Sequence, residues 1–225
     1  MPELSIIIPV LNEERFLAGN KEKLVSLLQE GHEILVVDGG SQDDSVNIAR
    51  ALGCRVFCTR ASRGHQLSYG ANHSKNDILL FLHADTHLPS HAAQVIAQAL
   101  ARPEQLWGRF AVRFSNPRQV FRVIAWFMNK RSCLTGIVTG DHALFIRRKL
   151  YFSCGGYMDV PLMEDVEFCR RLKKHASPVC LSEKVVTSSR RWEQNGILKT
   201  VAIMWWLRLM FFLGQSPEKL ARSYR

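Results

Sequence analysis

The feature that most constrains the fold of this chain is the alternation of short apolar runs with longer amphipathic segments over its first 100 residues. Each run is continuous rather than interrupted by polar residues, which is typical of a strand covered on both faces. The four runs are "LSIIIPV" (4–10), "HEILVVDGG" (32–40), "CRVFCT" (54–59) and "NDILLFLHAD" (76–85). Such strands separated by helices predict an α/β fold with a Rossmann-like, mostly parallel sheet and helices on both faces.

The segments between these runs carry helix signals. Residues 12–31 begin with acids, repeat apolar residues at helical spacing and end at Gly31, so we expect one helix there. Residues 41–53 predict a second helix with Ser41 as its cap and acids in its first turn. Residues 62–74 predict a third. Helices in these places are what a doubly wound sheet requires.

The second half of the chain is less regular. Residues 107–114 ("WGRFAVRF") alternate between apolar and polar side chains, which predicts an exposed or antiparallel strand. The other predicted elements are an apolar-rich helix (117–132), a short strand (140–148), an acid-capped helix (161–175) and one or two strands (177–192). The sequence shows no repeat, no low-complexity tract and no clear linker.

The C-terminal segment differs in composition from the rest. From Ile197 to Leu213 it is mostly apolar, interrupted by Lys199, Thr200 and Arg208. It reaches only the lower limit of the length that spans a bilayer, and it carries charge, so a transmembrane helix is disfavoured. The alternatives are an interfacial helix on a membrane surface and a helix packed on the preceding α/β domain or on a second subunit, as in a homodimer.

The chain is basic, with 30 Lys and Arg against 20 Asp and Glu and a formal net charge of +10. Such an excess favours an anionic partner, which is nucleic acid, an acidic membrane surface or a phosphorylated small molecule. The basic doublets are dispersed and no aromatic residues alternate with them, so we expect no nucleic-acid binding.

The six cysteines include no CxxC pair and no regular ligand spacing, which argues against a zinc site. We expect no secretory signal, because Pro2 and Glu3 precede only the short run 6–10. We therefore expect reduced thiols in a cytoplasmic protein, with peripheral contact at the inner face of the membrane as a further option.

Polar side chains follow three of the predicted strands, at the edge of a doubly wound sheet where ligands bind. Asp85, with His83 as a weaker ligand, suits Mg²⁺ or Mn²⁺, which favour carboxylate oxygen and accept phosphate. Asp85 could instead cap the next helix, expected to start near Pro89. Asp38, followed by two glycines, could bind a base or ribose, or could hold its own turn.

Two further clusters lie in the second half. Glu164-Asp165 is placed at a predicted helix start, where an Asp suits a general base, although acids in a first helical turn are stabilising in any case. Arg190-Arg191-Trp192 combines guanidinium groups that bind phosphate with a flat ring for sugar or lipid. The alternative for this cluster is a basic strand end with a half-buried Trp.

The order of these segments is more specific than any one of them. Over about residues 4–192 the chain resembles the pattern of glycosyltransferase family two. The segments that carry this resemblance are "SIIIPVLNEE", "LVVDGGSQDDS", "FLHAD", "GGYMDVPLMEDVEFCRRLKK" and "SSRRW". The chain also resembles a bacterial subgroup of this family that is associated with arsenosugar biosynthesis. The segments that carry this narrower resemblance are "FLHADT", "GDHALFIRR", "PLMEDVEFCRRL" and "SSRRWEQNG". The resemblance implies a GT-A fold, inversion at the anomeric centre, a catalytic domain over 1–192 and a helical extension over 193–225.

The resemblance also implies roles for individual residues. Asp165 would be the catalytic base, and Asp85 with His83 would hold Mg²⁺ or Mn²⁺. The implied nucleotide pocket comprises Pro9, Glu13, Asp38, Arg63, Ala84 and Asp85. The implied substrate contacts are Asp141, His142, Glu164, Arg191 and Trp192.

Three positions depart from the family pattern. Gly39 replaces the second Asp of "DDGS", His83 replaces the first Asp of DxD, and Ser188 replaces the Gln of QxxRW. Because the QxxRW element is best developed in processive polymer synthases, its erosion favours transfer of a single sugar.

The predicted function is metal-assisted transfer of a sugar, with inversion, from a nucleoside diphosphate sugar to a hydroxyl of a small or lipid-linked acceptor. One alternative is a catalytically impaired nucleotide-sugar binder or a membrane-associated scaffold, which the departures at Gly39 and His83 would permit. Another is a nucleotidyltransferase, which would need a Gly-rich loop after the first strand, whereas "VLNEERF" contains no glycine.

Overall fold

The computed structural model describes residues 2–224, within which the chain forms a mixed eight-stranded sheet flanked by helices. In chain order the strands are β1 (Leu4–Val10), β2 (Glu33–Asp38), β3 (Arg55–Cys58), β4 (Ile78–Phe81), β5 (Thr86–His87), β6 (Trp107–Phe114), β7 (Leu144–Arg147) and β8 (Val179–Thr187). The helices are α1 (Glu14–Gly19), α2 (Lys21–Gln29), α3 (Ser45–Ala51), α4 (Arg63–Asn72), α5 (Ala92–Ala99), α6 (Gln119–Thr135), α7 (Arg148–Ser153), α8 (Glu164–Leu172), α9 (Arg190–Asn195), α10 (Ile197–Phe212) and α11 (Pro217–Tyr224), with a 3-10 turn at Gly140–His142. The strand order across the sheet is β3-β2-β1-β4-β7-β6-β8-β5.

The first four strands form the parallel half of the sheet, as the sequence predicts. Their side chains alternate between two apolar layers, with Ile6 and Ile8 in one and Ile7 in the other. Continuous apolar strands suit this arrangement because both faces of the sheet are covered. Val10 lies beside Asp38 in this register, so the carboxyl ends of the strands meet along one edge. The predicted fold class is confirmed.

The second half of the sheet is built by long-range pairing. β7 runs antiparallel to β4 and β6, β6 is parallel to β8, and β5 pairs antiparallel with β8. The prediction of an antiparallel strand over 107–114 is therefore correct for its pairing with β7, but exposure is wrong, because every residue except Arg113 is buried. Arg109 accounts for the error, since its buried guanidinium donates to the carbonyls of Asn129 and Leu181.

Two helix predictions are also corrected. Residues 12–31 form α1 and α2 rather than one helix, with the junction at Asn20. The Asn20 amide donates to the Phe16 carbonyl, so its side chain competes with the backbone for a helical acceptor. The helix predicted over 41–53 begins only after Asp44. Ser41 instead accepts a hydrogen bond from the Asn12 N–H in the loop after β1.

The C-terminal segment packs back onto the domain. Leu207, Phe211 and Leu220 are buried in the same apolar layer as Ile7, whereas Trp205 is 64% exposed. Packing on the rest of the chain is thus observed for α10, and a second apolar face of the helix stays uncovered. Among residues 2–224, none of the helices combines the length and the hydropathy needed to cross a membrane.

The division predicted between 1–192 and 193–225 stays a prediction. α9 begins at Arg190 and continues to Asn195, so a helix crosses this division, and the expected strand end at 190–192 is instead the start of that helix. Met1 and Arg225, the outer ends of the two predicted segments, lie outside the described residues.

The expectation of reduced thiols is wrong for two of the cysteines. Cys133 on α6 and Cys180 on β8 form a disulfide, with their Cα atoms 6.0 Å apart. They are 47 residues apart in sequence, and only the packing of α6 on the sheet brings them together, so their spacing gave no signal. The thiol argument for a cytoplasmic location therefore no longer holds. Cys54, Cys58, Cys154 and Cys169 are free.

Candidate active site

A cavity of about 910 Å³ opens at the carboxyl edge of the parallel strands. The ends of β1 and β4, the starts of α4, α8 and α9 and the 3-10 turn form its polar side. α6 and α10 form its outer, mostly apolar side. The predicted site residues that line it are Pro9, Glu13, Arg63, His83, Ala84, Asp85, Asp141, Glu164, Asp165, Arg191 and Trp192.

Asp38 is not among the residues that line the cavity, and its place in the nucleotide pocket stays a prediction. Its side chain is 2% exposed, and its carboxylate accepts the N–H groups of Gly40 at 2.8 Å and Ser41 at 3.0 Å. Of the two roles considered for Asp38, the structure shows the turn role. This turn places the Ser41 hydroxyl where it accepts the N–H of Asn12, which organises the loop after β1.

His142 is also not among the residues that line the cavity, and its contact with the acceptor stays a prediction. The ring is fully buried, and its Nδ1 is 3.0 Å from the carbonyl of Phe110. A carbonyl oxygen only accepts, so Nδ1 carries the proton. Burial, assisted by the charge of Arg109, lowers the pKa of His142 to about 3. This neutral ring anchors the 3-10 turn to β6 and so fixes the position of Asp141.

His83 and Asp141 form a pair inside the cavity, with Nδ1 and Oδ1 3.4 Å apart. Burial alone would raise the pKa of Asp141, but the hydrogen bond and charge of His83, together with Arg63, lower it to about 2. A Cβ on Gly140 would overlap the His83 ring, so this pairing requires glycine at position 140. Nδ1 of His83 faces Asp141 and Nε2 lies against Gly140, and the role of His83 as a metal ligand stays a prediction.

Asp85 is better placed to hold a divalent cation. It lines the cavity, and its carboxylate accepts a long hydrogen bond of 3.4 Å from Thr86, so most of its lone pairs are unused. The alternative of a helix cap is wrong, because α5 begins at Ala92 with His91 at its N-cap. No cluster of three or more His, Cys, Asp or Glu ligands occurs among residues 2–224. Mg²⁺ commonly binds through one or two carboxylates, with water and phosphate as its other ligands, so Asp85 fits.

Glu164 and Asp165 open α8 after Met163, which has a left-handed backbone with φ of 67°. A non-glycine residue in this region marks strain of the kind found at functional sites. Asp165 accepts the N–H of Gly140 at 3.2 Å and that of Val166 at 2.7 Å, so two donors orient its carboxylate. Burial and the charge of Asp165 raise the pKa of Glu164.

Arg63 and Arg191 bring positive charge to the same side of the cavity. The Arg63 guanidinium lies 3.6 Å from the Glu164 carboxylate. Arg191, at the start of α9, has its pKa lowered by burial and by the charge of Arg63, while Asp141 and Asp85 oppose the shift. Two arginines beside a free carboxylate suit a ligand that carries phosphate groups and a cation.

Trp192 and Glu13 complete this side of the cavity. The Trp192 ring packs edge-on against Phe114, with centroids 5.7 Å apart, so Trp192 is a half-buried residue anchored in the core. Glu13 lies 3.8 Å from Arg190. Burial raises the pKa of Glu13, and the charges of Asp85 and Asp43 add to this effect.

Sequence reasoning missed two arginines on the outer side of the cavity, Arg131 on α6 and Arg208 on α10. The side-chain nitrogens of Arg131 are buried and have no hydrogen-bond partner among the described residues. Burial, together with the charge of Arg208, lowers the pKa of Arg131 to about 10. Arg208 was noted only as an interruption of an apolar run, and nothing in the pattern places it opposite Arg131.

Comparison with known proteins gives a family match over most of the chain. The model of the family described as "Glycosyl transferase family 2" matches residues 5–156. A 4,4'-diaponeurosporenoate glycosyltransferase of Staphylococcus haemolyticus is 34% identical over 112 residues, which are 45% of this chain and 29% of that protein. An undecaprenyl-phosphate 4-deoxy-4-formamido-L-arabinose transferase of Sodalis glossinidius is 26% identical over 164 residues, 64% of this chain and 48% of that one. The chain thus spans less than half the length of these relatives.

Solved structures of glycosyltransferases share the fold. The structure of S. aureus TarS 1–349 in complex with UDP-GlcNAc has a TM-score of 0.64 and 15% identity, covering 83% of this chain and 58% of that one. Glucosyl-3-phosphoglycerate synthase from Mycobacterium tuberculosis, in complex with Mn²⁺, UDP-glucose and phosphoglyceric acid, has a TM-score of 0.61 and 17% identity, covering 83% of this chain and 70% of that one. At these identities the likeness concerns the fold alone, which is of the GT-A type.

Proposed function

Because the chain belongs to glycosyl transferase family 2, we propose that it transfers a sugar from a nucleoside diphosphate sugar to a hydroxyl of an acceptor, with inversion at the anomeric carbon. The observation that carries this proposal is the meeting of Asp85, Asp165, Arg63 and Arg191 in one cavity. The narrower likeness to the subgroup associated with arsenosugar biosynthesis is also proposed, on the sequence segments alone.

The donor would bind with its diphosphate at Asp85 and Arg191. Related structures contain UDP-sugar and Mn²⁺ or Mg²⁺, and the free carboxylate of Asp85 fits such an ion. When bound there, Mg²⁺ or Mn²⁺ would neutralise charge on the departing diphosphate. The Arg191 guanidinium would add a second positive contact. Pro9, Glu13 and Ala84, which line the same side, would surround the nucleotide.

Asp165 would act as the general base. Its carboxylate is held by the N–H groups of Gly140 and Val166, so it can accept the proton of an acceptor hydroxyl without first reorienting. As the acceptor oxygen bonds to the anomeric carbon, the bond from that carbon to the diphosphate oxygen breaks on the opposite face. The proton passes to Asp165 and the electron pair leaves with the diphosphate, so the anomeric configuration inverts.

A lipid-linked acceptor is favoured over a small polar one. The relatives named above act on undecaprenyl phosphate and on diaponeurosporenoate, and another is a beta-monoglucosyldiacylglycerol synthase. The apolar side of the cavity, formed by α6 and α10, suits the hydrocarbon part of such a molecule. The same helices expose Trp126, Phe127, Trp205 and Trp206, and we propose peripheral contact with the inner face of the membrane rather than a homodimer.

The donor hypothesis is tested by a thermal-shift screen of UDP-, GDP-, dTDP-, ADP- and CDP-sugars with and without Mn²⁺. A specific donor should raise Tm through mass action, and Asp85→Asn should remove the Mn²⁺-dependent part of that shift, with the exposed Asp77→Asn as control. Release of nucleoside diphosphate from the donor that binds best then distinguishes a transferase from a protein that binds the donor without reacting it. Release of pyrophosphate from a nucleoside triphosphate would instead indicate a nucleotidyltransferase.

A further inference from the structure

Arg131 is unusual because its charged group is buried without a hydrogen-bond partner within residues 2–224. Its three guanidinium nitrogens are buried, and none has a hydrogen-bond partner among the described residues. Buried polar groups are nearly always hydrogen-bonded, and an unpaired buried cation is costly. Arg109, nearby under the same helix, shows the usual solution, since it donates to the carbonyls of Asn129 and Leu181. Arg131 instead lines the cavity.

Arg208 lies on α10 and lines the same cavity. It has no hydrogen bond or ion pair in the described part of the chain, and its charge acts unfavourably on Arg131. Two unpaired cations thus come from two different helices, in an orientation that costs stability in the absence of an anion. Thr139, also on the cavity lining, has a buried hydroxyl without a partner, which adds a third unused donor.

The position of these arginines separates them from the proposed donor site. Arg131 and Arg208 come from α6 and α10, on the outer side of the cavity. Arg63 and Arg191 come from the starts of α4 and α9, on its polar side.

Beyond Arg131 and Arg208 the lining from α6 and α10 is mostly apolar, and its other polar residues are Lys130, Thr135 and Thr200. α6 contributes Phe127 and Leu134, and α10 contributes Met204 and Trp205. Leu134 is 85% exposed, so this part of the lining continues onto the molecular surface. A ligand that contacts both the two arginines and this apolar lining carries a negative group next to a hydrocarbon chain.

We propose that Arg131 and Arg208 form an oxyanion-binding subsite for the acceptor, and that the acceptor is an amphiphile in which a phosphate or carboxylate is joined to an apolar chain lying between α6 and α10. That the ligand is the acceptor of a sugar rests on the proposed function. The existence of the subsite rests only on the two unpaired arginines. Each guanidinium group can donate two parallel hydrogen bonds to two oxygens of either anion.

The test is calorimetric titration of the protein with decyl phosphate and with decanoate, both below their micelle concentrations. We expect binding of at least one, and none of decyltrimethylammonium or 1-decanol. Arg131→Gln and Arg208→Gln should each weaken binding by about tenfold to a hundredfold, as expected for loss of a charged hydrogen bond. Arg122→Gln on α6 and Lys199→Gln on α10 remove the same charge at exposed positions off the cavity and should have no effect.

Equal weakening by the control variants would reduce the effect to net charge and overturn the proposal. Equally tight binding of inorganic phosphate would overturn the amphiphile, leaving a simple anion site. Equal binding of 1-decanol would show that the arginines contribute nothing.

A stability measurement provides an independent readout. Because the Arg131 guanidinium is buried without a partner, Arg131→Met should raise Tm of the ligand-free protein while abolishing the stabilisation by decyl phosphate. Arg131→Lys, which keeps the charge but loses the planar fork, should retain part of that stabilisation. A large fall in Tm of ligand-free Arg131→Met would show that the arginine serves packing and would sink the proposal.

Failure of this inference is distinguishable from failure of the proposed function. If a nucleoside diphosphate sugar stabilises the protein and decyl phosphate and decanoate do not bind, the transferase stands and the subsite is wrong. If decyl phosphate binds through Arg131 and no donor does, the subsite stands and the transferase proposal is wrong.

Discussion

At the scale of single residues, the site depends on carboxylates in different environments. Asp85 has unused lone pairs, Asp141 is paired with His83, and Asp165 is held by two backbone donors. Only a carboxylate that is oriented yet still has a free acceptor position can take a proton from a substrate. Among the three, this description fits Asp165 best, which is why the proposed mechanism uses it as base.

Replacing Asp165 with Asn should lower turnover by about 10²–10⁴-fold while donor binding survives. Gly140 and Val166 donate to different oxygens of Asp165, so the amide oxygen of Asn can keep only one of these two hydrogen bonds, of which the one from Val166 is the shorter. The amide cannot take up a proton. Initial rates and donor affinity, measured for Asp165→Asn beside Asp77→Asn, provide the check. An Asp165→Asn enzyme with full activity would remove Asp165 from the role of base.

His142 should make folding sensitive to moderate acid. Burial lowers its folded-state pKa to about 3 from the ordinary 6.5, so between these values the unfolded chain binds a proton that the folded protein does not. The free energy of unfolding should therefore fall as pH decreases from about 6.5 towards 4, by up to about 1.4 kcal/mol per pH unit. Asp141 contributes only at lower pH, since its pKa falls from 3.8 to about 2.

Urea unfolding between pH 7 and 4 measures this slope. His142→Asn keeps a donor for the Phe110 carbonyl but does not titrate, so its stability should depend less on pH than that of the unmodified protein. Identical slopes for the two proteins would show that His142 is not buried as described.

At the scale of helices and strands, the disulfide matters most. It joins α6, which carries Arg131, to β8 beneath it. Closing a loop of 47 residues should stabilise the fold by about 4 kcal/mol in the chain-entropy model. The outer side of the cavity is thus fixed to the sheet by a covalent bond.

Thiol titration of the denatured protein should give four free thiols before reduction and six after it. Reduction should also lower Tm, because the unfolded chain gains conformational freedom. Cys58→Ser, at an exposed free cysteine, should leave the change in Tm on reduction as it is. Six reactive thiols in the protein as isolated without reductant would contradict the disulfide.

How much of the fold the sequence predicts depends on the range of the interactions. β1 to β4 are predictable because each is a continuous apolar run with helices on either side, and burial on both faces follows from that pattern. β6 is mistaken for a half-exposed strand because Arg109 breaks its apolar pattern although it is buried and hydrogen-bonded. The partners of β8 come from distant parts of the chain, and no local pattern specifies them.

The site shows the same limit. The predicted strand-end and helix-start residues reach the cavity because strand direction fixes where they lie. Asp38 has the right position in sequence, yet its carboxylate is occupied by its own turn. The sequence does not predict a role for Arg131 and Arg208, because their lack of partners is a property of the packed structure. Patterns therefore locate carboxylates at strand ends better than unpaired charges on helices.

At the scale of the whole molecule, a basic protein presents exposed aromatic residues on neighbouring helices. The formal net charge is +10, and Trp205 and Trp206 of α10 are exposed together with Trp126 and Phe127 of α6. Aromatic side chains favour the membrane interface, and positive charge favours anionic lipid.

The protein should therefore sediment with vesicles of phosphatidylglycerol and phosphatidylethanolamine, less so as salt increases. Trp205→Gln combined with Trp206→Gln should release it, whereas Phe152→Gln, at an exposed aromatic residue on α7, should not. Unchanged binding by the double variant, or no binding by the unmodified protein at low salt, would exclude contact through α10.

The apolar side of the cavity has a consequence for kinetics. If the hydrocarbon chain of the acceptor lies along Phe127, Met204 and Trp205, it makes the same contacts before, during and after sugar transfer. Contacts that do not change along a reaction cannot accelerate its chemical step. Lengthening the chain by each methylene should therefore lower KM and leave kcat level, until departure of the glycosylated product becomes slower than the chemistry and kcat begins to fall.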